Sequence, residues 1–69
     1  HAAAWETSLM MELRPDLVDL NRLPSGDDPQ ALVGVHGRDP RKFAMKEFGR
    51  QGVDAVVRRV GEKVKELLA

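Results

Sequence analysis

The sequence predicts an α/β arrangement of two helices and one short strand, on three observations. Apolar residues recur every four positions near the start, a brief run of Leu and Val follows a loop, and a longer apolar stripe occupies the last third. These elements do not close on themselves. A lone strand leaves its edges unpaired, and two helices of unequal length cover each other only in part, so the missing partners must come from elsewhere.

The first helix is expected over residues 2–14. Its residues are helix formers without Gly or Pro, and Trp5, Leu9 and Leu13 share a face with Met10 beside them. Pro15 lacks an amide donor and disfavours helical geometry at Arg14, so the helix ends there. Residues 15–30 read as a loop that carries Leu17, Val18, Leu20 and Leu23 as apolar anchors and then turns through Pro24, Ser25, Gly26, Asp27, Asp28 and Pro29. Leu32, Val33 and Val35 suit a strand over residues 31–35, bounded by His36 and Gly37. Asp39 followed by Pro40 is a start signal, because an Asp side chain caps the first amides and proline has no donor to orphan. The second helix is therefore expected over residues 40–68, about 29 residues or roughly 44 Å. Val53, Val57, Val60, Val64 and Leu67 step by four and three along it, with Val56 and Leu68 widening the stripe. Gly49, Gly52 and Gly61 lie inside this helix, each costing about 1 kcal/mol relative to alanine, which calls for close packing on a neighbouring backbone. The same stripe also fits a short coiled-coil seam of about two heptads.

Composition bounds the chemistry. The chain has 69 residues, 42% hydrophobic and 32% charged, with no cysteine and two histidines. A chain of this size buries only about 60% of the surface its unfolded form exposes. Disulfides, thiolate zinc clusters and a cysteine nucleophile are excluded. No apolar run approaches the roughly 20 residues that span a bilayer, and no signal-peptide pattern opens the chain, so it reads as soluble and without a membrane partner. The lack of cysteine fits a reducing compartment, and a cytoplasmic location is expected. His1 stands where translation would place methionine, which reads as a processed product or a piece of something longer.

Charge is uneven. Residues 1–35 carry six acidic and two basic side chains, net −4, and residues 36–69 carry nine basic and five acidic ones, net +4. Such a basic half raises the question of nucleic acid. Asp54, Glu62 and Glu66 interleave with Arg58, Arg59, Lys63 and Lys65 as on a solvated helix face, and Trp5, Phe43 and Phe48 all fall at core positions, so no nucleic-acid partner is expected.

Three side chains merit weighing for chemistry. His1 offers a proton donor or acceptor, a copper chelate through its amine and imidazole, or no role at all. Glu6 sits among residues meant for burial and must either face solvent or be held by partners. His36, in a turn, reads as an exposed loop residue.

The N-terminal block nevertheless has a pattern. His1, Glu6, Thr7, Ser8, Met10, Pro15, Leu17 and Val18 match H-x-x-x-x-E-T-S-x-M-x-x-x-x-P-x-L-V, and this closely resembles the signature of the creatininase (creatinine amidohydrolase) family. Lys42, Ala44, Glu47 and Gly49 resemble a second family pattern, K-x-A-x-x-E-x-G, and Gly34 to Pro40 resembles the G-V-x-G-x-P turn before it. The resemblance implies the C-terminal segment of a three-layer α/β/α metal-dependent hydrolase that cleaves cyclic amides or formamides. It implies His1 as proton shuttle and Glu6 as a supporting group that fixes hydrogen bonds around it. It also implies divalent ions, zinc or manganese, whose ligands lie in family motifs that this chain does not contain, so the segment alone should be inactive. The implied partners are the remainder of that fold, a small-molecule substrate and further copies of the complete protein. A competing reading is a small helical interaction module whose long helix docks on another protein without catalysis.

Overall fold

In the computed structural model, which describes residues 1–69 except for the side chain of Pro29, every regular element is helical. Helix α1 spans Ala4–Leu13, α2 is the single turn Pro40–Phe43 and α3 spans Lys46–Leu68. Three 3₁₀ turns, Pro15–Leu17, Leu20–Arg22 and Pro29–Ala31, punctuate the connection between α1 and α2. The expected α/β class, and with it the three-layer α/β/α placement, is corrected: the chain is a small helical arrangement with no strand among the described residues.

The strand expected over residues 31–35 fails for a local reason. Ala31 still belongs to a 3₁₀ turn, and Gly34 at φ 79° and Gly37 at φ 130° take backbone conformations that bend the chain. No extended run long enough to pair is left between them. Val33, meant for a strand face, is 94% exposed.

The first helix begins two residues later than expected. Ala2 has φ 54° and Ala3 is extended, so the helix starts at Ala4. Glu6, in the third helical position, accepts the Ala3 N–H at 3.3 Å. This is one half of a capping box; Ala3 has no hydroxyl to supply the other. At the far end Arg14 leaves helical geometry before Pro15, as the proline requires.

Asp39 does cap a helix, its carboxylate accepting the Arg41 N–H at 2.8 Å with Pro40 following. That helix stops after one turn. Ala44 and Met45 are extended, with ψ 130° and 149°, and helical structure resumes at Lys46. The continuous helix over 40–68 is interrupted because the Met45 N–H donates to Ser8 Oγ at 3.0 Å, a tertiary bond in place of the intrahelical one.

Helix α1 packs along the first half of α3. Gly49 lies against the backbone of Ser8 so closely that a Cβ there would overlap the Ser8 carbonyl. One turn on, a Cβ on Gly52 would come within 2.5 Å of the Trp5 ring. The close approach that the two glycines called for is therefore with α1, whereas Gly61 faces open space. Trp5 and Phe48 meet edge to face at 5.5 Å between ring centres.

Burial is sparse. Ala3, Ala4, Ser8, Pro40, Gly49 and Gly52 are the buried residues among those described. Trp5, Phe43 and Phe48, expected in a core, remain about two-fifths exposed because no element covers their outer sides. The stripe of Val57, Val60, Val64 and Leu67 runs beyond the end of α1 and lies in solvent. No helix of the described residues is long and apolar enough to cross a membrane.

Candidate functional site

The E-T-S triplet organises the entrance to α1. Ser8 is fully buried and uses its hydroxyl to hold Met45, setting α1 against the start of α3. Thr7 Oγ1 donates back to the Ala2 carbonyl at 3.4 Å, across the left-handed bend. The Glu6 carboxylate, besides accepting from Ala3, lies 3.8 Å from the amino group of His1. Hydrogen bonding from its own backbone N–H, more than the nearby ammonium and the Ala3 N–H, holds the Glu6 carboxyl below the usual glutamate value against a desolvation effect of opposite sign. Glu6 thus fixes the main chain around His1; what it holds is backbone.

His1 is set on that support with its side chain in solvent, 79% exposed. Its amine donates to the His36 carbonyl at 2.8 Å, and the His36 N–H donates back to the His1 carbonyl at 2.8 Å. Two bonds exchanged between one pair of residues lock those two residues side by side. Three residues on from His1 and two on from His36, the Ala4 N–H donates to the Arg38 carbonyl at 2.9 Å, so the two segments continue together in the same direction. The imidazoles of His1 and His36 consequently stand 6.3 Å apart, tilted by 41°. A second histidine is placed beside the first, which the 35-residue separation in sequence concealed.

Ala2 is the conformational cost of this arrangement. A left-handed φ at a residue with a Cβ costs about 1–2 kcal/mol, and such outliers cluster where geometry serves a function. Beside it, a cleft of about 430 Å³ opens between α1 and the connection, walled by Met10, Leu17, Val18, Leu23 and Val35 with Glu6 at its polar edge. His1 does not line it.

On the other side of the seam, Arg38 stacks over Phe43 at 4.1 Å, and Arg41 anchors the connection to α2. The Arg41 guanidinium bonds both oxygens of Asp39 and reaches the carbonyls of Pro24 at 2.7 Å and Asp28 at 3.0 Å. Sequence reasoning missed this residue because its partners come from 13 and 17 positions away.

Among the described residues no three His, Cys, Asp or Glu groups come together that could hold a metal ion, and the divalent ions that the family resemblance implies have their ligands in motifs outside this chain. Of the charge pairs expected on the solvated face of α3, Lys63 and Glu66 meet at 3.4 Å. Comparison with family models, with curated proteins and with solved structures finds no match to this chain.

Proposed function

We propose that this chain is the proton-relay segment of a creatininase-type amidohydrolase, acting on a cyclic amide or formamide together with a larger part of the same protein. His1 is the shuttle. Cleavage of a C–N bond needs a proton at the departing nitrogen, and a solvent-facing imidazole on a pinned backbone is suited to deliver it. The observation that carries the reading is the support of His1: a left-handed Ala2, the paired His36 backbone and the Glu6 carboxylate on the Ala3 N–H fix the main chain on both sides of that one residue. Divalent zinc or manganese would supply the activated water and polarise the carbonyl, held by residues outside this chain.

The test is to read the coding frame upstream of His1, express the whole of it, and assay amide hydrolysis with added zinc or manganese. The complete protein should turn over, the 69-residue chain alone should not, and His1→Asn should lower kcat by about 10²-fold or more. Hydrolysis by the isolated chain, an upstream frame without His- and Asp-bearing metal motifs, or full activity of His1→Asn each overturns the proposal. A non-catalytic helical interaction module remains the second reading, favoured by the exposed valine stripe of α3. It predicts that the complete protein binds a partner through α3 with no dependence on His1.

A further inference from the structure

The seam between His1 and His36 brings both imidazoles of the chain to one edge of the molecule. We propose that these two side chains form a binding site for a single borderline divalent cation, with zinc as the probe ion. Imidazole nitrogen suits zinc, copper and nickel better than it suits magnesium or calcium. With metal–nitrogen bonds of about 2.0–2.1 Å, two imidazoles sharing one ion at a tetrahedral angle have ring centres about 5 Å apart. The observed 6.3 Å is within about an ångström of that distance, and both side chains are exposed and able to rotate.

What distinguishes this pair from two scattered surface histidines is its backbone. The reciprocal hydrogen bonds of 2.8 Å hold the two residues directly opposite each other whatever the rings do. Closing the rings on an ion then costs side-chain rotation alone, without the entropy of bringing two chain segments together. The surrounding charges permit a cation once the His1 ammonium, which itself lies in the seam, is made a neutral amide that still has an N–H for the His36 carbonyl. Arg38, two residues from His36, has its guanidinium over the Phe43 ring, Arg41 is engaged by Asp39, and the Glu6 carboxylate lies on the His1 side. Water completes the coordination. The site needs no ligand from outside the chain and does not rest on the hydrolase reading; an ion bound there would occupy the imidazole that the reading assigns to proton transfer.

The experiment titrates zinc into the 69-residue chain while NMR follows the ring protons of both histidines. The amino terminus is acetylated, so that the amine and imidazole of His1 cannot chelate by themselves. Both rings should shift along one isotherm with one ion per chain. Loss of even an outer-shell partner weakens metal sites by about 10- to 100-fold, so His36→Gln and His1→Gln should each weaken binding at least about tenfold. Helix content of both variants, read by circular dichroism, should stay at that of the parent, since neither ring is buried. The proposal is overturned by separate isotherms for the two rings, by unaltered affinity in His36→Gln, by binding that vanishes on acetylation, or by a zinc-linked dimer that shares one ring from each copy.

Discussion

Ser8 shows how much one hydroxyl decides in this chain. Buried completely, it satisfies an amide that belongs to another element and so fixes where α3 begins. Ser8→Ala keeps the volume nearly unchanged but leaves the Met45 N–H without its partner. A buried donor left unpaired costs about 1–3 kcal/mol, and urea unfolding should register a loss in that range. The Asp39–Arg41 pair answers to pH instead. Hydrogen bonds from the Arg41 side chain hold the Asp39 carboxyl below the ordinary aspartate value, against a smaller desolvation effect. In the unfolded chain that carboxyl takes up its proton at a higher pH. The stabilisation is thus complete above the ordinary value near pH 4 and is lost as pH falls through the folded one. Unfolding midpoints measured from about pH 5 downward should fall, and should fall less in Asp39→Asn, with the remaining slope carried by Glu6 and Asp16, whose carboxyls are lowered too.

At the scale of elements, the interior glycines of α3 should respond in opposite directions to one substitution. Gly49→Ala places a methyl group inside the Ser8 carbonyl, where the Ser8 and Leu9 atoms it meets are all backbone and none can swing aside. Overpacking of this kind costs about 1–3 kcal/mol or more, with α1 displaced from α3. Gly61→Ala meets nothing and lowers the entropy of the unfolded chain, so it should stabilise by about 0.4–1 kcal/mol. Thermal unfolding of the two variants beside the parent checks the pair, and a matching sign at both positions would contradict the packing described. The same comparison shows what was legible in the sequence. Pro15 and the Asp39–Pro40 pair mark helix ends through local chemistry, and they do so in the structure. Glycines inside an apolar stripe pointed to a close approach, and two of the three make one. The break at Ala44 and Met45 was not legible, because its cause is a hydroxyl 37 positions earlier. Nor was the irregular outcome at residues 31–35, where an apolar run looked like a strand and the bends at Gly34 and Gly37 decided otherwise. For the site, His1 and Glu6 could be singled out by a motif, whereas the pairing of His1 with His36 exists only once the residues before α1 meet the end of the connection to α2.

Taken whole, the molecule is elongated and almost coreless. Its Cα radius of gyration is 14.9 Å, against about 11 Å for a compact domain of this length. The buried apolar side chains are two alanines and a proline, while Val57, Val60, Val64, Leu67 and Leu68 stand at least 48% exposed along α3. Chains below about 70–80 residues seldom gather more than 3–5 kcal/mol from a single core, and this one has hardly a core to draw on. What holds it is a seam of main-chain bonds at His1–Ala4, the Ser8 hydroxyl, the Arg41 bonds, the Trp5–Phe48 contact and two glycine contacts, none of which involves the distal half of α3. Uncovered apolar surface of that extent drives association when nothing else covers it. Sedimentation velocity should therefore show the average mass of the isolated chain rising with concentration. Replacing Val57 and Val60 together by Glu should suppress that rise. Because both side chains are more than half exposed, the helix content by circular dichroism should survive the change, apart from a few tenths of a kcal/mol per residue of altered propensity. Association that persists in the double variant would place the sticky surface elsewhere, with the apolar cleft beside Glu6 as the next to alter.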